Sequence, residues 1–106
     1  MGRILIVDDH REVYETLREG FEETDYASNV DDALRKIEER NYTLVLTDYH
    51  LGEDSPKGGL KVLERASKKG IESIMMSTKD HKGEALEAGA MDFVFKIDLL
   101  KKYGTR

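Results

Sequence analysis

The sequence predicts an α/β protein with a five-stranded parallel sheet. Short apolar runs recur along the chain, the clearest being residues 4–7, 44–46, 74–76 and 93–95. Stretches of helical length and helix-like apolar spacing separate these runs. Continuous apolar strands are typical of a parallel sheet that is covered on both faces, and each connection is long enough for a right-handed crossover.

The first half of the chain is predicted to hold three strands and two helices. After the first strand, apolar residues at every fourth position indicate a helix with the inner face Val13, Leu17 and Phe21. Residues 25–30 form a weak, polar strand that suits a sheet edge. Asn29 is a candidate N-cap for the second helix, whose buried face is predicted to be Ala33, Leu34 and Ile37. The third strand covers residues 43–47.

The third helix is predicted to begin at Gly58 and Gly59 and to end before Gly70, a residue type that favours helix C-termini. Its predicted inner face is Leu60, Leu63 and either Ala66 or Ser67.

The two helices in the last part of the chain are predicted to be short. A fourth strand over residues 73–77 is followed by a short helix over 80–88 and a fifth strand over 92–96. Asp98 is a candidate cap for a final helix of barely two turns, which ends at residues 103–104.

Composition limits the classes of function. A length of 106 residues suits one domain over residues 1–106. The net charge of −5 argues against direct nucleic-acid binding, and the absence of cysteine excludes disulfides and thiolate metal sites. No apolar stretch approaches the roughly 20 residues of a membrane span. We therefore expect a soluble, cytoplasmic domain that does not enter a membrane.

Polar residues follow four of the predicted strands and belong to one chemical set. They are Asp8, Asp9, Asp48, Ser77 and Lys96. The carboxyl ends of parallel strands share one edge of a sheet, so these side chains are expected to meet there. Three close carboxylates repel one another unless a cation lies between them, and hard oxygen ligands suit Mg²⁺. A carboxylate in such a site can attack phosphorus, with Ser77 and Lys96 stabilising the phosphoryl oxygens.

At these positions the sequence resembles the response-regulator receiver domains of two-component signalling, including the chemotaxis regulators. The matching segments are residues 5–9, 44–48, 74–77, 88–90 and 93–96, in the family's order and near its spacing. The resemblance covers nearly the whole chain. It implies a doubly wound, flavodoxin-like sheet with the strand order 2-1-3-4-5.

The resemblance also implies a role for each residue of the acidic set. Asp48 corresponds to the phosphoacceptor and Lys96 to the lysine that pairs with the phosphoryl group. Asp9 corresponds to a direct Mg²⁺ ligand and Asp8 to a ligand through water. Asp48 itself and the backbone carbonyl of His50 complete the implied metal site.

Two further residues correspond to the family's conformational switch. Ser77 matches the switch hydroxyl, and Phe93 matches the switch aromatic, which is expected to turn inward on phosphorylation. Thr78 is the alternative to Ser77 if the register slips by one residue.

Histidine offers a different reading of the same region. His10 and His50 lie near the predicted site and can bind transition metals. Exposed histidines at helix starts and in loops are the commoner case, so this reading is the weaker one.

The chain departs from the family pattern in four places. Ile97 stands where the family usually has proline after the lysine, and the loop after Asp48 is about two residues longer than the common pattern. The segment between Ser77 and Lys96 is short, which predicts a short fourth helix. The final helix is also predicted to be short. Because the family commonly dimerises through that surface, we expect a monomer or a weak dimer.

The resemblance implies a Mg²⁺-dependent phosphoacceptor. The phosphoryl group would come from a sensor histidine kinase or a histidine phosphotransfer protein, and the switched form would act on a downstream effector that the sequence does not identify. Such a domain is not an enzyme, since it catalyses only its own phosphotransfer and autodephosphorylation. The alternative is a receiver-like interaction module that works without phosphorylation.

Two other classes fit less well. A phosphatase of the haloacid dehalogenase type needs a second aspartate two residues after the nucleophile, and His10 and His50 occupy those positions. A flavin binder needs a phosphate-binding turn after the first strand, which here is acidic.

Overall fold

The computed structural model describes residues 2–104, and within them strands and helices alternate throughout. The strands are β1 (Ile4–Val7), β2 (Thr24–Ala27), β3 (Leu44–Asp48), β4 (Glu72–Ser77) and β5 (Asp92–Phe95). The helices are α1 (Arg11–Leu17), α2 (Val30–Glu39), α3 (Gly58–Lys68), α4 (Lys82–Glu87) and α5 (Lys96–Gly104). A 3₁₀ turn over Arg18–Gly20 extends α1.

The five strands form one parallel sheet in the order β2-β1-β3-β4-β5, which confirms the predicted α/β fold and strand order. Val7 lies between Ala27 and Thr47 in the register of its two neighbours. Asp48 is opposite Met76. The strands therefore end at nearly the same level, which gathers the residues that follow them at one edge.

Both faces of the sheet are buried. Successive residues of a strand point to opposite faces, so Leu5 and Val7 join the core under α2 and α3 while Ile6 joins Leu17 and Met76 on the other side. All five are fully buried. Coverage on both sides explains why the strands are continuously apolar.

The start of α2 and the end of α3 agree with the sequence signals, whereas the end of β2 and the buried face of α3 differ from the prediction. Asn29 caps α2 by accepting a hydrogen bond from the Asp32 amide at 2.8 Å. Gly70 takes a positive φ of 74° after α3. The predicted extension of β2 to residue 30 was wrong, because the chain has already turned into the α2 cap. The prediction for α3 missed Val62, which is fully buried because α2 packs against α3 and its residues join Val62 in one apolar cluster.

The last two helices are short, as predicted. α4 has six residues and α5 has nine. The predicted boundary at the end of β5 was wrong: Lys96 is the first residue of α5 rather than the last of the strand. Asp98 consequently lies in the first helical turn instead of at the cap. Ile97 follows Lys96 through a trans peptide bond and continues the helix.

Among residues 2–104, no helix has both the length and the apolar character needed to cross a membrane.

Candidate functional site

The side chain of Lys96 joins two of the predicted site residues. Its Nζ atom donates a hydrogen bond to Asp48 Oδ2 at 2.8 Å and lies 2.7 Å from Asp8 Oδ2. All three residues are buried. The distance along the chain between Asp48 and Lys96 is 48 residues, so the parallel topology alone brings them together.

The backbone fixes both carboxylates. Asp8 Oδ1 accepts a hydrogen bond from the His10 amide at 2.8 Å, and Asp48 Oδ1 accepts one from the Tyr49 amide at 2.9 Å. The hydroxyl of Tyr26 donates to the Asp8 carbonyl at 2.8 Å and holds the end of β1 against β2.

A Cβ on Gly59 would lie 2.1 Å from the Asp48 carbonyl oxygen. Only glycine lets the start of α3 approach the end of β3 this closely.

Burial and ion pairing act in opposite directions on the site's pKa values. Burial disfavours the charged form of Asp8 and raises its pKa, although the Lys96 ammonium opposes the shift. Burial alone would lower the pKa of Lys96. The hydrogen bonds with Asp48 and Asp8 outweigh it, and the pKa of Lys96 is raised. Lys96 is therefore held as an ammonium ion between the two carboxylates.

The acidic residues outnumber the cation that faces them. Three carboxylates and one ammonium leave a net charge of about −2 when all are ionised, which suits a divalent cation. Ligand atoms of Asp8, Asp9 and His10 lie within 4.8 Å of one another. Asp9 Oδ1 is buried and accepts no hydrogen bond of good geometry from residues 2–104, although His10 Nδ1 lies 3.2 Å away. The carboxylates of Asp8 and Asp9 fit a hard divalent cation. Asp48 is not within this group, and Lys96 Nζ contacts both Asp48 and Asp8.

The side chain of His50 turns away from the carboxylates. It is exposed, and its Nδ1 accepts a hydrogen bond from the Gly52 amide at 3.3 Å. Its imidazole therefore contacts the long loop after β3, and the metal-binding role of its backbone carbonyl, which the resemblance implies, stays a prediction.

The predicted switch residues lie on β4 and β5. Ser77 is buried at the end of β4, one residue after the register partner of Asp48, and its Oγ accepts a hydrogen bond from the Lys79 amide at 3.3 Å. Thr78 is exposed. Phe93 is already buried, and it packs edge-on against Phe95 with ring centroids 5.4 Å apart. An inward turn of Phe93 on phosphorylation stays a prediction.

Sequence reasoning missed a group of three side chains beside Asp48. Tyr49 stacks on His81 and donates to Glu84, residues that lie 32 and 35 positions later in the chain. No spacing rule connects residues so far apart. The available signal was an aromatic residue, Tyr49, directly after Asp48 at the end of a strand.

A family comparison agrees with this architecture. The model of the response regulator receiver domain matches residues 4–101. The chain belongs to this family. Receiver domains of response regulators act in two-component signalling, with histidine kinases and effector domains as their partners.

Solved structures of other receiver domains are similar to this one. TrrA of Thermotoga maritima, solved with Mg²⁺ and BeF, is 32% identical with a TM-score of 0.77, and the match covers 96% of this chain and 95% of that one. A CheY-like receiver protein from Methanospirillum hungatei is 30% identical with a TM-score of 0.74, covering 96% and 90%. A Burkholderia pseudomallei response regulator with a phosphorylated aspartic acid and a calcium ion shares the fold at 20% identity and a TM-score of 0.79, over 91% of this chain and 60% of that one. A search of curated protein sequences found no match.

Proposed function

We propose that this receiver domain accepts a phosphoryl group on Asp48 from a phosphohistidine protein and changes conformation as a result. The observation that carries the proposal is the contact of one buried ammonium, Lys96 Nζ, with both Asp48 and Asp8 at 2.8 and 2.7 Å. A structural ion pair needs a single acid, whereas a phosphoryl site needs one carboxylate to attack and others to hold a cation.

The transfer exchanges one bond for another at phosphorus. The bond between phosphorus and the donor imidazole breaks as a bond to an Asp48 carboxylate oxygen forms, and the imidazole keeps the electron pair and takes a proton from water. Lys96 exchanges part of its contact with Asp48 for a phosphoryl oxygen and balances its charge. Attack of water on the phosphorus later breaks its bond to the Asp48 oxygen, releases inorganic phosphate and restores the carboxylate.

Asp8, Asp9, Asp48 and the His50 carbonyl would hold a magnesium ion. When bound, it neutralises charge that develops on the phosphoryl oxygens. The structures of TrrA with Mg²⁺ and BeF and of the Burkholderia protein with calcium support a divalent cation in this family.

Ser77 is proposed as the hydroxyl that moves toward the phosphoryl group. Among residues 2–104, its Oγ takes part in one long hydrogen bond, from the Lys79 amide at 3.3 Å, so little is lost when it turns. The change would shift an existing equilibrium at the ends of β4 and β5 and alter the surface presented to an effector.

Intact-mass measurement tests this proposal. Incubation with acetyl phosphate and Mg²⁺ should add one phosphoryl group to the wild type and none to Asp48→Asn, which keeps the size of the side chain but not its nucleophilicity. Omission of Mg²⁺ should slow the labelling strongly. Equal labelling of Asp48→Asn would refute the assignment, and an unlabelled wild type would favour a module that works without phosphorylation.

A further inference from the structure

Three side chains connect the loop after the acceptor with the short helix α4. The rings of Tyr49 and His81 are stacked in parallel, with centroids 3.6 Å apart and an interplanar angle of 2°. The Tyr49 hydroxyl donates to both carboxylate oxygens of Glu84, at 3.0 and 3.3 Å. His81 Nδ1 lies 3.1 Å from Glu84 Oε1, which closes the group. We call these three residues the clasp.

The clasp is an ordered contact rather than a loose surface pairing. Tyr49 is buried, and only a quarter of the His81 side chain is exposed. Burial and the hydrogen bond to Glu84 raise the pKa of Tyr49, and the bond from Tyr49 together with His81 and Lys57 lowers the pKa of Glu84. Lys57, from the long loop, lies 3.8 Å from Glu84 Oε2 and adds a cation beside the same carboxylate.

One end of the clasp rests directly on the acceptor. The Tyr49 amide donates to Asp48 Oδ1 at 2.9 Å and to the Met76 carbonyl at 3.1 Å. A hydrogen bond to a carboxylate is stronger than one to a neutral oxygen. Phosphorylation of Asp48 leaves a neutral carbonyl oxygen where the carboxylate oxygen was. The hydrogen bond that this oxygen accepts from the Tyr49 amide is therefore weakened.

The other end of the clasp rests on α4. Glu84 lies in its first turn, and His81 is the residue immediately before the helix. Because α4 has six residues and one fully buried side chain, Ala85, few other contacts hold it in place. Phe93 packs in the same apolar cluster as Tyr49 and is buried. The clasp therefore provides a contact between the loop after Asp48 and α4 that does not pass through Phe93.

We propose that the clasp of Tyr49, His81 and Glu84 couples the phosphorylation state of Asp48 to the position of α4. It is intact when Asp48 is a free carboxylate and weakens when Asp48 carries a phosphoryl group. This proposal rests on the proposed function, since it needs Asp48 as the acceptor. By linkage, a change that breaks the clasp must favour the phosphorylated conformation by the same free energy.

The affinity for beryllofluoride at saturating Mg²⁺ measures that linkage, because this ligand mimics a phosphoryl group without a covalent reaction. Tyr49→Phe removes the hydroxyl but keeps the ring and the amide, and Glu84→Ala removes the other partner without touching the acceptor loop. Each should bind beryllofluoride about fivefold more tightly than the wild type, which corresponds to about 1 kcal/mol. The double variant should bind no more tightly than Glu84→Ala alone, because that substitution already removes the hydrogen bond that Tyr49→Phe would break.

Tyr42→Phe is the matched control. Its hydroxyl donates to Asp25 Oδ2 at 2.7 Å, a tyrosine–carboxylate bond of the same kind just before β3, at the amino end of the sheet. Its affinity for beryllofluoride should equal that of the wild type.

The outcomes separate the two proposals. A wild type that binds no beryllofluoride would contradict the proposed function and the clasp with it. A wild type that binds normally, with unchanged or weaker binding in Tyr49→Phe and Glu84→Ala, would overturn the clasp and leave the proposed function intact. Additive effects in the double variant would also overturn it, since the two residues would then act separately. If Tyr49→Phe folds poorly, Glu84→Ala alone decides, because Glu84 is a partly exposed side chain.

Discussion

Replacement of Lys96 by methionine should destabilise the protein strongly in the absence of divalent cations. Lys96 Nζ lies 2.7 Å from Asp8 Oδ2 and 2.8 Å from Asp48 Oδ2, so these two oxygens are at most roughly 5.5 Å apart. Without the ammonium, their repulsion amounts to about 3 kcal/mol at an effective dielectric constant of 20. The loss of the attraction between Lys96 and the two carboxylates adds to this repulsion. Removal of one partner from a buried ion pair typically lowers the free energy of unfolding by about 3–5 kcal/mol.

Urea unfolding at pH 7 with EDTA would measure this loss. Lys36→Met is the matched control, because Lys36 also contacts a carboxylate, Asp32 Oδ2 at 3.0 Å, but is partly exposed. We expect Lys36→Met to lower the free energy of unfolding by about 1 kcal/mol or less. A saturating Mg²⁺ concentration, about 100 times the dissociation constant, should raise the free energy of unfolding of Lys96→Met by about 2.7 kcal/mol.

The pH dependence of the same variant gives a second check. Burial already raises the pKa of Asp8 in the wild type, and loss of the Lys96 charge should raise it further. A group whose pKa is higher in the folded state favours folding when it is protonated. The deficit of Lys96→Met should therefore be smallest near pH 4 and grow as the pH rises through the folded pKa of Asp8. A deficit under about 1 kcal/mol that depends on neither pH nor Mg²⁺ would refute the electrostatic account of this site.

Three further predictions concern the cation, the switch and the fold. Asp9→Ala should weaken Mg²⁺ binding more than Asp8→Ala in calorimetric titrations. Asp9 Oδ1 accepts no well-formed hydrogen bond from residues 2–104 and is free to face a cation. Equal losses of Mg²⁺ affinity in the two variants would contradict the direct role of Asp9. Ser77→Ala should still become phosphorylated while the NMR response of its neighbours is lost, and a full response would point to Thr78 instead. Asn29→Ala should lower the free energy of unfolding by about 1 kcal/mol, since it removes the acceptor for the Asp32 amide; an unchanged urea midpoint would show that the cap contributes nothing.

The sequence predicted the sheet and the acidic residues well, because both depend on local signals. A continuous apolar run marks a strand buried on two sides, and the residue that ends the run lies at the shared edge. Asp8, Asp48 and Lys96 were placed together by that rule alone, before any contact was known.

The rest depended on contacts that local signals do not contain. The start of α5 was misplaced because Lys96 and Ile97 can occupy either a strand or a helix, and packing against α1 settles the choice. The inward position of Phe93 depends on the neighbours it meets in the core. The contacts of Tyr49 with His81 and Glu84 join residues more than 30 positions apart, and spacing within one element says nothing about them.

Identification of the residue that carries the phosphoryl group tests the central claim most directly. After incubation with acetyl phosphate and Mg²⁺, borohydride reduction converts an aspartyl phosphate into homoserine, which peptide mapping by mass spectrometry can locate. We predict homoserine at position 48 and unmodified aspartate at Asp8 and Asp9. Homoserine at either of those two positions, or a reduction-resistant phosphoryl group on another side chain, would contradict the account.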